Sequence, residues 1–156
     1  MALTDYSGME KQIKDVPEPV VIKKGTEVKA RIIKVNSGVV DNGGDYDGCS
    51  YHSIVFDCPD EPLAKEFSDF FWELDKNRLS EKDFVRAMRH FKNLAEAFGI
   101  DYSRPFDWED DLPGEVGWLI VGIKKSDEYG EQNTVQKYLS SQGKGSSSNA
   151  SNGAPF

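Results

Sequence analysis

The segment 117–139, GWLIVGIKKSDEYGEQNTVQKYL, constrains the fold most, because it reads as a strand, a polar connection and a second strand. Successive side chains of a strand point to opposite faces, so Leu119, Val121 and Ile123 share one side while Trp118, Gly122 and Lys124 share the other. A turn at Tyr129-Gly130 reverses the chain. Beyond it, strict alternation places Val135 opposite in phase to Gln136 and Tyr138. Lys124, Lys125 and Lys137 then stand beside the Tyr138 ring, a mixture that suits a nucleic-acid strand. An exposed amphipathic hairpin whose lysines only confer solubility accounts for the same residues equally well.

The rest of the chain supplies partners for this hairpin. GTEVKARIIKVN (25–36) puts Val28, Ala30 and Ile32 on one face, and a bulge is expected to return Val35 to it. Residues 36–48 are crowded with Gly, Asn and Asp, which predicts a mobile loop. In CSYHSIVFDC (49–58), Ile54, Phe56 and Cys58 face a core while Tyr51, Ser53 and Val55 face away. FSDFFWEL (67–74) fits both a helix and an aromatic strand by spacing. Ser80 with Asp83 marks a helix start, and Phe84, Ala87, Met88, Phe91, Leu94, Ala95 and Phe98 form one apolar stripe closed by Gly99. The opposite face of that helix, with Lys82, Arg86, Arg89 and Asn93, reads as solvated. An arm (1–24) containing Pro17 and Pro19 precedes the domain, and a Ser/Gly/Asn-rich tail (140–156) follows it.

With 156 residues, one domain with tails is expected. No apolar run approaches a membrane span, no secretory signal is read, and two cysteines without a framework fit a reducing cytoplasm. The net charge of −8 argues against a polyanionic partner. Its distribution is uneven, however. Lys23, Lys24, Lys29, Arg31 and Lys34 form one basic cluster, and Lys82, Arg86, Arg89 and Lys92 a second.

Chemical motifs are sparse. His52 and His90 stand in no nucleophile motif. Cys49, His52 and Cys58 have no common zinc spacing, and DNGGDYDG lacks the glycine and glutamate of a calcium loop. No phosphate loop or dinucleotide fingerprint occurs. The expectation is therefore a non-enzyme without metal or cofactor. A magnesium-dependent nuclease using Asp101, Asp107 or Glu109 is the remaining catalytic alternative.

Strand, loop, strand, aromatic segment, helix and hairpin is the element order of an oligonucleotide-binding (OB) barrel. RHFKNLAEAFGID followed by YGEQNTVQKYL also resembles the phage-type single-stranded DNA-binding proteins, over residues 25–139. The resemblance implies a mainly β fold, a five-stranded OB barrel with its helix between strands three and four, so that 67–74 must be strand three. It also implies a cytoplasmic protein of the bacterial host that coats single-stranded DNA without sequence specificity during phage replication and recombination. The groove candidates are Lys29 and Arg31 on strand one, Tyr51 on strand two, Trp72 (or Phe71 in the other register) on strand three, and Lys124, Lys125, Tyr129 and Lys137 on the hairpin. A protein-binding OB module without DNA affinity is the competing reading, and the net charge favours it.

The end of the chain carries a second resemblance. Bacterial single-stranded DNA-binding proteins finish in a flexible tail tipped by acids and Pro-Phe, and this chain ends in Pro155-Phe156 without the acids. That implies a docking tip for replication or recombination proteins.

Overall fold

The computed structural model describes residues 2–140. The tail and its Pro155-Phe156 tip lie outside the described residues. Among the described residues, five strands, β1 (Glu27–Val39), β2 (Ser50–Asp57), β3 (Phe67–Trp72), β4 (Val116–Ser126) and β5 (Gly130–Tyr138), accompany three α-helices, α1 (Glu10–Lys14), α2 (Glu81–Phe98) and α3 (Trp108–Asp111), and a short 3-10 helix, Ser7–Met9. The fold is mainly β, as expected. All strands join one antiparallel sheet in the order β3-β2-β1-β4-β5. Residues 67–72 are a strand, because pairing with β2 buries Phe67 and Phe71 on one face and leaves Phe70 and Trp72 on the other.

Two bulges set the phase of the sheet. In β1, Ile32 pairs with Phe56 and Lys34 with Val55, so Ile33 is the extra residue and Val35 turns inward with Val28, Ala30 and Ile32. In β5, Lys137 pairs with Ile120 and Val135 with Val121, leaving Gln136 without an opposite. This second bulge corrects the expected alternation. Val135 and Tyr138 both pack against the core, so Tyr138 is not the partner of an exposed lysine cluster.

Helix α2 closes over the inner face of the sheet. Its N-cap Ser80 accepts from the Asp83 N–H, and Gly99 ends it in the left-handed conformation, as the sequence predicts. Phe91, Leu94, Ala95 and Phe98 are buried against Phe56 and Phe71, whereas Met88 stays 39% exposed. A wholly buried Phe or Leu stabilises the fold by about 1.5–3 kcal/mol. The helix end approaches β4 closely: a Cβ on Gly117 would lie 2.5 Å from the Ala97 carbonyl oxygen, so a larger residue there would push the helix away.

Strands β3 and β5 are the edges of the sheet in pairing order. A side-chain bond spans them, from the Tyr138 hydroxyl to Asp69 Oδ2 at 2.6 Å. Asp69 Oδ2 also lies 3.1 Å from His90 Nε2 on α2, and its Oδ1 accepts from the Phe70 N–H.

The arm and the first loop differ from expectation. Exposed α1 forms before the prolines, and the arm then docks: Val20 bridges to Ala64, and the Ile22 backbone donates to and accepts from the buried Asn133 side chain. Strand β1 continues to Val39, shortening the loop. What remains is internally bonded, with Asp47 Oδ1 accepting from Asn42 N and Gly43 N. Among the described residues no helix is long and apolar enough to cross a membrane.

Candidate nucleic-acid interface

Strand pairing brings side chains from three strands into rows on the outer face. Gly38, Tyr51 and Trp72 stand opposite one another; so do Asn36, Ser53 and Phe70, and then Lys34, Val55 and Ser68. Because alternation commits the other faces of these strands to the core, the polar and aromatic residues between them are turned outward. Three aromatic rings therefore cluster on the face turned away from the main core, with Trp72 half-buried against Cys49, Leu79 and Ala87. Tyr51 stacks on Phe70 with centroids 5.3 Å apart, and Phe70 meets Trp72 edge-on at 4.8 Å. Phe70, on the edge strand β3, is 45% exposed.

The loop 40–49 supplies a fourth ring. Tyr46 stacks on Trp72 at 4.9 Å and donates its hydroxyl to Asp83 at 2.9 Å, which pins the loop to α2. That bond to a carboxylate raises the tyrosine's pKa, since ionisation would place two anions together. Gly38 makes room beneath Tyr51, for a Cβ there would come within 2.7 Å of the tyrosine oxygen.

Two clefts continue the aromatic floor. One, of about 280 Å³, lies between Lys34, Asn36 and Ser68 of the sheet and Lys124 and Gln132 of the β4–β5 hairpin. The other, of about 470 Å³, lies between Phe70 and Trp72 of β3 and Arg86, Arg89 and Asn93 of α2, with Tyr46 at its side.

Of the residues expected in the groove, Tyr51 and Trp72 share the aromatic cluster, and Lys124 borders the first cleft. Phe71 is core, which fixes the register on Trp72. Lys29 and Arg31 face outward farther along β1 but are paired with acids. Arg31 holds Asp57 through two bonds of 2.6 and 3.1 Å, and Lys29 lies 3.6 Å from Asp60. Their positive charge is largely offset before any ligand arrives. Lys125 stands opposite Glu131 in the β4–β5 register, and Tyr129 sits 63% exposed in the turn. Lys137, opposite Ile120, is not among the residues lining either cleft.

Sequence reasoning did not place Phe70 or Tyr46 in the groove, and it counted Lys34 in the first basic cluster without making it a groove residue. The hint was present, since Phe70 has the same parity as Trp72. It also passed over a buried polar cluster at the end of the sheet. His52 is 8% exposed, stacks on Trp108 at 4.0 Å, and has Nδ1 and Nε2 each 2.6 Å from a partner, Ser37 Oγ and Glu73 Oε1. A carboxylate can only accept, so Nε2 is the donor to Glu73, while Nδ1 and the Ser37 hydroxyl share the other bond. This arrangement ties β1, β2 and β3 together and seats α3.

The acids considered for metal chemistry have local tasks. Asp107 caps α3 by accepting from Glu109 N and Asp110 N, and Asp101 accepts from Ser103. Cys49 Sγ donates to the Arg78 carbonyl, whereas Cys58 lies in the main core, where burial pushes its thiol pKa up to about 11. Among the described residues, no three His, Cys, Asp or Glu side chains are grouped to hold an ion. No family model and no curated protein matches the chain.

Proposed function

We propose that this protein binds single-stranded DNA without sequence specificity, on the outer face of β1, β2 and β3. The observation that carries the reading is the outer-face cluster of Tyr51, Phe70, Trp72 and Tyr46, in which Phe70 and Tyr46 are exposed and Tyr51 and Trp72 half-buried. Every base offers a flat face to such rings, so stacking is strong and tolerant of sequence, at about 1–3 kcal/mol per base. Lys34 and Lys124 would follow the phosphates.

The fold reading that accompanies this is an OB barrel. The sheet order, the helix between the third and fourth strands, and the Asp69–Tyr138 bond between the edge strands support it. In such barrels the face of strands two and three, with the loops on either side, is where oligonucleotides and oligosaccharides bind. The resemblance to phage-type single-stranded DNA-binding proteins extends the proposal to strands exposed during replication and recombination.

The net charge of −8 and the ion pairs that occupy Lys29 and Arg31 favour a second reading, a protein-binding module using the same rings. Anisotropy titration of a labelled oligothymidine at about 50 and 200 mM salt separates the two, because phosphate contacts make affinity fall steeply with salt. Saturable binding that weakens with salt, with a duplex of equal length bound far more weakly, supports strand binding. No binding at the lower salt concentration overturns it and leaves the protein-binding module.

A further inference from the structure

Helix α2 reads in sequence as an apolar stripe backed by a solvated face. The structure sets part of that face, Arg86, Arg89 and Asn93, across a cleft of about 470 Å³ from the rings of Phe70 and Trp72. These three residues recur at helical spacing, so they form one line along the cleft. We propose that this cleft is a subsite for one nucleotide of the bound strand, its base against Phe70 and Trp72 and its phosphate on Arg89. The proposal rests on the strand-binding reading above and adds a direction to it, carrying the strand off the sheet and across α2.

The chemistry of the walls fits this ligand class. Phe70 and Trp72 meet at 90°, with Tyr51 stacked on Phe70 and Tyr46 on Trp72, so the surface offered to a planar base is chiefly what remains of the 45% exposed Phe70 ring. Asp83 is occupied, accepting from Tyr46 and lying 3.6 Å from Arg86, so those two charges largely offset one another. The Arg89 guanidinium has no ion pair or hydrogen bond among the described residues, and neither does the Asn93 side-chain amide. The cleft therefore presents one uncommitted guanidinium and one uncommitted amide beside an aromatic corner. A guanidinium matches a phosphate through paired N–H donors, and an amide matches a base edge with one donor and one acceptor group. His90, also in this wall, is held by Asp69 and contributes shape. A cleft of this volume falls within the roughly 300–1,000 Å³ of small-ligand sites.

The test compares oligothymidine binding, by anisotropy across a salt series, for the wild type and for Arg89→Gln, Arg89→Lys, Asn93→Ala and Lys92→Gln. Lys92 lies on the same helix but lines a different cleft, beside Met88 and Phe91. Arg89→Gln is expected to weaken binding about fivefold or more and to lower the salt slope by about 0.7, the loss of one phosphate contact on a single strand. Arg89→Lys should keep the slope, Asn93→Ala should weaken binding without changing it, and Lys92→Gln should match the wild type. Circular dichroism melts establish that each variant is folded. If the wild type binds but folded Arg89→Gln and Asn93→Ala bind equally well, the subsite is overturned while the sheet groove stands. If Lys92→Gln loses as much as Arg89→Gln, the effect is general charge and the subsite is likewise overturned. A wild type that binds no oligothymidine removes both readings.

Discussion

The Tyr138 hydroxyl on β5 lies 2.6 Å from the Asp69 carboxylate on β3, joining strands at opposite ends of the sheet order. Asp69 also receives His90 from α2. One carboxylate thus ties both sheet edges and the helix together, directly behind Phe70. The outer aromatic face is held in shape from within.

Replacing Tyr138 by Phe keeps the partly buried ring against the core and removes only this bond. Urea denaturation should show a loss of about 1.5–3 kcal/mol, the range for a hydrogen bond to a charged group. Unchanged stability would mean the edges are held by packing alone. The pH dependence has a definite sign. Burial, and then the charge of Asp69, raise the Tyr138 pKa well above its usual value, so the fold favours the protonated phenol. Its contribution is complete below the unfolded-state pKa of about 10 and is lost as pH rises through and beyond that value. Tyr138→Phe should lack that part of the alkaline loss.

The phases of β1 and β5 show what was legible in the sequence. A bulge near Ile33 was readable because apolar residues on both sides of it, Ile32 and Val35, signal the break in alternation. The bulge at Gln136 was not, since Gln136, Lys137 and Tyr138 are compatible with either face until the tyrosine's partner, Asp69 on β3, is known. Helix α2 was legible from its cap, its stripe and Gly99, all local signals. The function of its polar face was not, because nothing local says that β3 will lie across from it. Likewise, the first basic cluster was visible in sequence while the acids that pair with its Arg31 and Lys29, Asp57 and Asp60, lie far along the chain.

That last difference predicts unequal lysines and arginines. Lys34→Ala with Lys124→Ala should lower the salt slope of oligothymidine binding by about 1.4, or 0.7 for each phosphate contact. Arg31→Ala should change it little, because Asp57 already offsets that charge. Equal losses from both variants, measured across a salt series, would contradict the assignment of the first cleft.

Gly38 gives a test that separates binding from folding. Alanine there would crowd the Tyr51 hydroxyl and tilt the ring off β1. Within a strand, alanine instead of glycine should leave stability unchanged or raise it by about 0.5–1 kcal/mol. The expected outcome of Gly38→Ala is therefore a melting temperature held or raised together with oligothymidine affinity reduced about fivefold, part of the worth of one stacked base. Undiminished affinity would show that Tyr51 does not need this seat.

The central claim is that the aromatic cluster on β2 and β3 grips single strands, and the most direct measurement is oligothymidine affinity of the Tyr51→Ala, Phe70→Ala double variant. Both rings lie on the outer face, with Phe71, the buried neighbour, untouched. Removing two stacking platforms should cost about 2–6 kcal/mol, a loss of roughly thirtyfold or more, with the far-ultraviolet spectrum and cooperative melt retained. A folded double variant that binds oligothymidine as tightly as the wild type would contradict the account.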